Sequence, residues 1–209
     1  MIAGLCRSAA RAATAGTLVT CGIFACGPAA AQMSPSWVQC VNRENAGPDV
    51  QITGCTGVIQ SRRDTKQNLA IAFSNRGNAY SRLTKPDQAM ADYDKAIHLD
   101  PSYALAYIGR GNLYRSQKQF DKALTDYNSV VRLDPQSPIG FNNRGNIYLD
   151  WKQYDKAITE YTEAIRVDPK YVLAYQNRAR TYDRKGDAER AKADRERAKQ
   201  LIAGGLRPE

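Results

Sequence analysis

The apolar side chains between residues 70 and 203 recur every 34 residues, in four consecutive units that begin at Ala70, Ala104, Pro138 and Val172. The fourth position of each unit is a ring, and its members are Phe73, Tyr107, Phe141 and Tyr175. The eighth position is small, and its members are Gly77, Gly111, Gly145 and Ala179. A fixed period of this length indicates an array of one repeated supersecondary unit.

The spacing within each unit predicts two helices. In the first half, a ring, a small residue and a tyrosine or its counterpart follow at intervals of four and three, which places them on one helical face. In the second half, Ala157, Tyr161 and Ala164 show the same spacing. Small residues beside a ring suit two interlocking helices. Asp168-Pro169 then ends the unit, because proline cannot continue a helix.

These positions resemble the tetratricopeptide repeat, and the resemblance covers residues 70–203. It implies an all-α fold, a right-handed α-solenoid of antiparallel helix pairs, whose inner face binds peptide segments of partners. The units are residues 70–103, 104–137, 138–171 and 172–203. In the last unit Arg195 replaces the tyrosine and the second helix is polar on most sides, which is typical of a solubilising C-terminal cap. We expect residues 204–209 to be a frayed tail.

The N-terminal 31 residues differ from the rest of the chain. They contain two arginines and no acid, an apolar stretch over residues 12–25, and a small-x-small site at Ala29-Ala30-Ala31. This pattern predicts a secretory signal peptide, residues 1–31, that is removed after Ala31. The alternative is a lipoprotein signal, with a lipid on Cys26 that would hold the protein at a membrane.

Two cysteines, Cys40 and Cys55, remain in the predicted mature chain. In an exported protein such a pair favours a disulfide, and two buried thiols are the alternative. Cys55 aligns with Tyr161, so residues 36–61 read as a degenerate N-terminal repeat with a first helix near residues 37–44. About four residues more than the period requires separate it from the first full unit.

The whole chain carries a net charge of +9, which favours acidic partners or anionic surfaces without specifying them. Nucleic acid is not an expected partner, because basic and acidic residues alternate and the rings occupy packing positions. The single histidine, His98, stands in the last turn of a predicted helix, where a basic side chain complements the helix dipole. No catalytic, phosphate-binding or metal-binding motif is present, so we expect no enzyme, no cofactor and no metal.

An arginine and an acid recur together in every unit. The seventh position holds Arg76, Arg110, Arg144 and Arg178, and the twenty-third holds Asp92, Asp126, Glu160 and Asp194. Their joint recurrence predicts a structural ladder of ion pairs, bidentate where the geometry allows. The alternative is an arginine stripe that binds acidic ligands.

Asparagines recur three residues apart on the first helix of the units, which places them on one face. We expect this face to line the binding groove, since carboxamides offer both a donor and an acceptor to a peptide backbone and no core role is evident for them. The polar groove candidates are Asn75, Asn78, Asn112, Asn142, Asn143, Asn146, Asn177 and Arg180. The apolar candidates, at the second position, are Ile71, Leu105, Ile139 and Leu173. The alternative is helix capping or turn hydrogen bonding.

Together these observations predict a non-catalytic protein-interaction scaffold of the cell envelope, periplasmic or extracellular, that binds an extended peptide. Two alternatives stay open. One is a membrane-associated assembly component, with or without a lipid, and the other is a non-catalytic subunit of an envelope enzyme.

Overall fold

The computed structural model describes residues 34–41, 47–61 and 63–205. The predicted signal peptide and the last four residues lie outside these ranges. The described residues form ten helices: α1 (Pro35–Cys40), α2 (Pro48–Ser61), α3 (Lys66–Arg82), α4 (Pro86–Leu99), α5 (Ala104–Ser116), α6 (Phe120–Leu133), α7 (Pro138–Asp150), α8 (Tyr154–Val167), α9 (Val172–Lys185) and α10 (Ala188–Ala203). None of these helices is long and apolar enough to cross a membrane.

Consecutive helices pack as pairs, and the pairs stack in chain order. The main contacts join α3 to α4, α5 to α6, α7 to α8 and α9 to α10, and each pair then contacts the next. Short turns between paired helices make them antiparallel neighbours. The first helices also contact one another, α3 with α5 and α7 with α9. The predicted all-α solenoid is therefore confirmed, with the first helices gathered on one face.

The turn between the two helices of a unit is a Schellman motif. In the first unit the N–H of Lys85 donates to the carbonyl of Tyr80 at 3.0 Å, and the N–H of Thr84 donates to Ser81 at 3.0 Å. This geometry needs a left-handed residue after the helix. Glycine fills that place only in the last unit, as Gly186 with a φ of 84°. Thr84, Lys118 and Lys152 adopt it with φ of 56°, 59° and 60°.

The core of each complete unit is a tyrosine inserted against a glycine. Tyr93, Tyr127 and Tyr161 are at most 1% exposed. A Cβ placed on Gly145 would lie 2.6 Å from a ring carbon of Tyr161, closer than real Cβ contacts. Any side chain at that position would therefore displace the ring, which is why the eighth position stays small.

The N-terminal pair is joined by the predicted disulfide. Cys40 of α1 and Cys55 of α2 are bonded, with their Cα atoms 4.4 Å apart, and both are fully buried. Gly54 permits this approach, since a Cβ there would lie 2.5 Å from the Cβ of Gln39. The cystine thus fills the place that a tyrosine ring fills in later units.

Two expectations from the sequence need correction in this region. The first helix, Pro35–Cys40, begins before the expected residue 37, because Ser34 caps it by accepting from the N–H of Trp37 at 3.3 Å. Residues 42–44 of the expected span lie outside the described residues. The four extra residues before the first full unit are not all linker. They add a turn to the start of α3, which begins at Lys66 after the capping residue Thr65.

We predict that Thr84→Gly raises the free energy of unfolding by about 1 kcal/mol, because glycine adopts the left-handed conformation without the steric penalty of a β-branched residue. Urea denaturation measures this change. The matched control is Gly186→Thr, which should lower stability by a similar amount. A Thr84→Gly protein no more stable than the parent would contradict the prediction.

Candidate functional site: the face of the first helices

The asparagines at the ninth position stand at the edge of the tyrosine core. The hydroxyls of Tyr93, Tyr127 and Tyr161 donate to the Oδ1 atoms of Asn78, Asn112 and Asn146 at 2.8, 2.7 and 2.9 Å. Asn78 and Asn112 are nevertheless exposed, and Asn146 is half-buried. The expectation that these amides have no core role was therefore wrong, because each accepts a hydrogen bond from the hydroxyl of a buried tyrosine.

That hydrogen bond fixes the direction in which the amide acts. Because Oδ1 accepts from the tyrosine, the NH₂ group is the part left to meet another molecule. The ninth position therefore presents donors, where the sequence indicated a donor and an acceptor together. A peptide carbonyl or a carboxylate is the group that such a row of donors would bind.

The other asparagines divide between packing and surface. Asn142 is 3% exposed and lies between α7 and α9, where its Oδ1 accepts from Nδ2 of Asn177 at 2.9 Å. Its own Nδ2 donates to Oδ1 of Asn143 at 3.4 Å. Asn142 is thus an interface residue that a ligand does not reach, which corrects its assignment to the groove. Asn75, Asn143 and Asn177 remain half-buried on the same face.

The second unit has Gly109 where the others have asparagine at the sixth position. A Cβ on Gly109 would lie 2.4 Å from a ring carbon of Tyr93, so the ring occupies the space of that side chain. Leu105, at the second position, is 53% exposed. Its counterparts Ile71, Ile139 and Leu173 are half-buried.

The arginines at the seventh position bind acids within their own unit. In each case Nε and Nη2 donate to the carboxylate sixteen residues later, at 2.6–3.0 Å. The pairs are Arg76–Asp92, Arg110–Asp126, Arg144–Glu160 and Arg178–Asp194. The arginine side chains are only 16–21% exposed. These are charge-assisted bonds of the stronger kind.

The third nitrogen of each guanidinium reaches the unit before it. Nη1 of Arg110 donates to Asp94 at 2.7 Å and Nη1 of Arg144 to Asn128 at 3.2 Å. Arg178 reaches Thr162 at 2.9 Å. Arg76 reaches Thr56 in the cystine-bearing pair at 3.1 Å, twenty residues back rather than sixteen. The four additional residues correspond to the extra turn at the start of α3.

This second set of acceptors was not predicted from the sequence, although a signal was present. Thr56, Asp94, Asn128 and Thr162 occupy one register position, two after the recurrent acid or its counterpart. All four can accept a hydrogen bond, but they differ in residue type, so no single letter repeats. The feature that recurs at this position is a hydrogen-bond acceptor and not one residue type.

Aromatic rings and acids together hold the guanidinium groups. Arg76 lies 5.4 Å from the ring centroid of Phe73 and 5.9 Å from that of Tyr80. Hydrogen bonds to the paired acids raise the pKa of Arg76, Arg110 and Arg178 above the ordinary value. With their donors engaged on both sides, these arginines join units and leave little with which to bind an acidic ligand.

Burial also raises the pKa of the core tyrosines, to about 12 for Tyr93 and further for Tyr127 and Tyr161. The cause is that a phenolate would lose its hydration inside the helix pair. The neutral hydroxyl is thereby kept as the donor to asparagine.

Arg180 occupies the ninth position of the last unit and is exposed. No tyrosine stands beneath it, since residue 195 is arginine. His98 is exposed in the last turn of α4, as its position predicted. Within residues 34–41, 47–61 and 63–205, no group of three or more histidine, cysteine or acidic residues is placed to hold a metal ion.

Family models of the tetratricopeptide repeat match residues 70–103, 92–125, 111–152, 145–186 and 172–203. Among solved structures, a "Crystal structure of MamA" is 21% identical with a TM-score of 0.64, covering 79% of this chain and 94% of that one. "MamA 41-end from Desulfovibrio magneticus RS-1" is 21% identical with a TM-score of 0.65, covering 81% and 92%. At this identity the likeness shows the fold. A comparison with curated proteins finds no match.

We predict that Arg144→Ala lowers the free energy of unfolding by about 2–3 kcal/mol, because it leaves the half-buried Glu160 without its charged partner. Urea denaturation measures the loss. The control is Arg166→Ala, which removes an exposed pair within one helix and should cost at most about 0.5 kcal/mol. Unchanged stability of Arg144→Ala together with lost peptide binding would identify the arginines as a ligand stripe.

We also predict that the protein loses stability as the pH rises above about 10, where tyrosine in the unfolded chain ionises. Because Tyr93 ionises in the folded chain only near pH 12, the unfolded state binds fewer protons between these values and is favoured. Urea midpoints measured against pH give the slope. Replacing Tyr93, Tyr127 and Tyr161 with phenylalanine should flatten it, and an equally steep fall in that variant would contradict the assignment.

Proposed function

Because the chain belongs to the tetratricopeptide repeat family, we propose that it is a non-catalytic protein-interaction scaffold of the cell envelope. The face of its first helices binds an extended peptide segment of a partner protein. The observation that carries the proposal is the row formed by Asn78, Asn112 and Asn146, whose amide donors point away from a core that holds their oxygens.

The repeat spacing matches an extended peptide. Helices in contact lie about 8–10 Å apart, and an extended chain rises about 3.3 Å per residue. Successive asparagine donors therefore meet the peptide about every third residue. Every residue has a backbone carbonyl, so these contacts tolerate varied sequences and require mainly that the segment be extended.

The apolar residues at the second position give the binding face a preference among peptide sequences. Leu105 is 53% exposed, and an aliphatic side chain so placed gains by being covered. Ile71, Ile139 and Leu173 repeat the arrangement in the other units. A peptide with apolar residues at the same interval as its asparagine contacts would therefore bind more tightly than a polar one.

Export is the second part of the proposal. The disulfide between Cys40 and Cys55 supports it, since such bonds persist in oxidising compartments. Residues 1–31 would be the signal that directs export, and residues 36–61 the cystine-stapled cap that begins the repeat array. In this arrangement the cap, the three complete units and the polar last unit form one continuous binding scaffold.

We predict that Asn112→Asp with Asn146→Asp weakens peptide binding by about tenfold or more, the order expected when two donor sites are lost. Aspartate keeps the acceptor for each tyrosine, so the fold is retained while the outward donors are removed. The probe is a peptide of about 12 residues, selected on the parent protein from a random display library and measured by fluorescence anisotropy.

The control is Gln88→Glu with Gln153→Glu, which makes the same change of charge at two exposed amides away from this face. It should leave the affinity within about threefold of the parent. Unchanged affinity in the folded aspartate variant would place the binding surface elsewhere. Helicity and the melting temperature, measured on both variants, separate a loss of binding from a loss of fold.

A further inference from the structure

The solenoid ends in an open cavity of about 450 Å³ between α9 and α10, here called the terminal socket. Ala179 and Ala198 form part of its lining and Ile202, 41% exposed, lies at its rim. The last helix is therefore not polar on every side, as a cap that only confers solubility would be. Ala179 and Ala198 are themselves 1% and 3% exposed, so Ile202 supplies most of the apolar surface that these three residues leave to solvent.

The terminal socket lies at the same repeat positions as a site in the third unit that is occupied by a helix. One unit earlier, the counterparts of Ala179 and Ala198 are Gly145 and Ala164, and all four residues are buried. There α9 packs against α7 and α8, and its Ala174 shares a core cluster with Ala164. The terminal socket is thus shaped to receive one further helix in the way that the third unit receives α9.

Several positions that are apolar in the third unit are charged in the fourth unit, around the socket. Leu149, Tyr161 and Ile165 of the third unit correspond to Asp183, Arg195 and Lys199, and Asn146 corresponds to Arg180. The single acid is neutralised, because Arg195 Nη1 pairs with Asp183 at 2.6 Å. Arg180 has no acidic partner within the described part of the chain. Lys199 pairs with the exposed Glu196 at 3.0 Å. Arg180 is therefore the basic group that gives the socket its net positive charge.

We propose that the terminal socket binds an acidic amphipathic helix of a partner protein, with an apolar side chain against Ile202. Its carboxylates lie toward Arg180 and toward Lys199, where they replace the exposed Glu196 as the partner. Charge complementarity selects this occupant. A second copy of this chain is a poor match at its N-terminal end, since α1 and α2 carry one charged residue between them, Asp49. The socket shares Arg180 with the end of the asparagine face, but Asn78, Asn112 and Asn146 do not line it, and the proposal does not depend on peptide binding by those asparagines.

Two synthetic stapled helices of about 16 residues test the proposal, long enough to span the socket. Both helices have one face of leucine and alanine. On the opposite face, one helix carries glutamate and the other carries lysine. We expect the parent protein to bind the glutamate helix about tenfold more tightly than the lysine helix, and less tightly as salt rises. Fluorescence anisotropy measures both.

Arg180→Glu with Lys199→Glu should reverse this preference. The matched control, Lys192→Glu with Arg197→Glu, makes the same charge change at exposed positions of α10 outside the socket, and should keep the preference for the glutamate helix. Equal binding of the two helices, or an equal effect of both double variants, would overturn the proposal.

Two further measurements distinguish a partner helix in the socket from a second copy of this chain and from a helix bound at the asparagine face. Concentration-dependent self-association that disappears in Arg180→Glu with Lys199→Glu would identify a second copy as the occupant and overturn the acidic-helix proposal. Asn112→Asp with Asn146→Asp should bind the glutamate helix as the parent does. Loss of binding in that variant would place the helix on the asparagine face instead.

Discussion

In each unit of this protein, one guanidinium group is hydrogen-bonded both within the unit and to the unit before it. Two nitrogens of Arg144 bind the acid of its own unit, and the third reaches Asn128 of the preceding unit. The same bridge recurs at Arg76, where it connects the first full unit to the cystine-stapled pair. The stability of a repeat array depends on the interfaces between neighbouring units as well as on the units themselves. The arginine ladder is therefore the polar counterpart of the apolar stacking between helices.

The buried tyrosines connect the core to the asparagine face. Tyr127 fills the space that Gly111 leaves open and ends in a hydroxyl that needs an acceptor. Asn112 supplies it, and its amide donors are thereby turned toward solvent. The bond to the tyrosine hydroxyl thus also orients the NH₂ group that we propose binds a peptide. Asparagine is only a middling helix former, and its hydrogen bond to the buried tyrosine accounts for its recurrence at this position.

The two ends of the solenoid are closed by different chemistry. At the start, the bond between Cys40 and Cys55 replaces the tyrosine ring, and Gly54 brings the helices close enough to form it. At the other end, Arg195 stands in the place of the ring, and the space beside it stays open. A covalent bond thus joins the helices at the first end, whereas a cavity lies beside the arginine at the second.

The sequence by itself determined the repeat, its helix pairs, the disulfide partners and the pairing of recurrent arginines with recurrent acids, because each depends on residue types at a fixed period. The tertiary structure decided which side chains meet across helices. It buried Asn142, gave Asn112 a tyrosine to satisfy, and placed the extra turn at Lys66 so that Arg76 still reaches Thr56. Such contacts join side chains of different type across helices, and only the position of the helices in space shows which acceptor a donor meets.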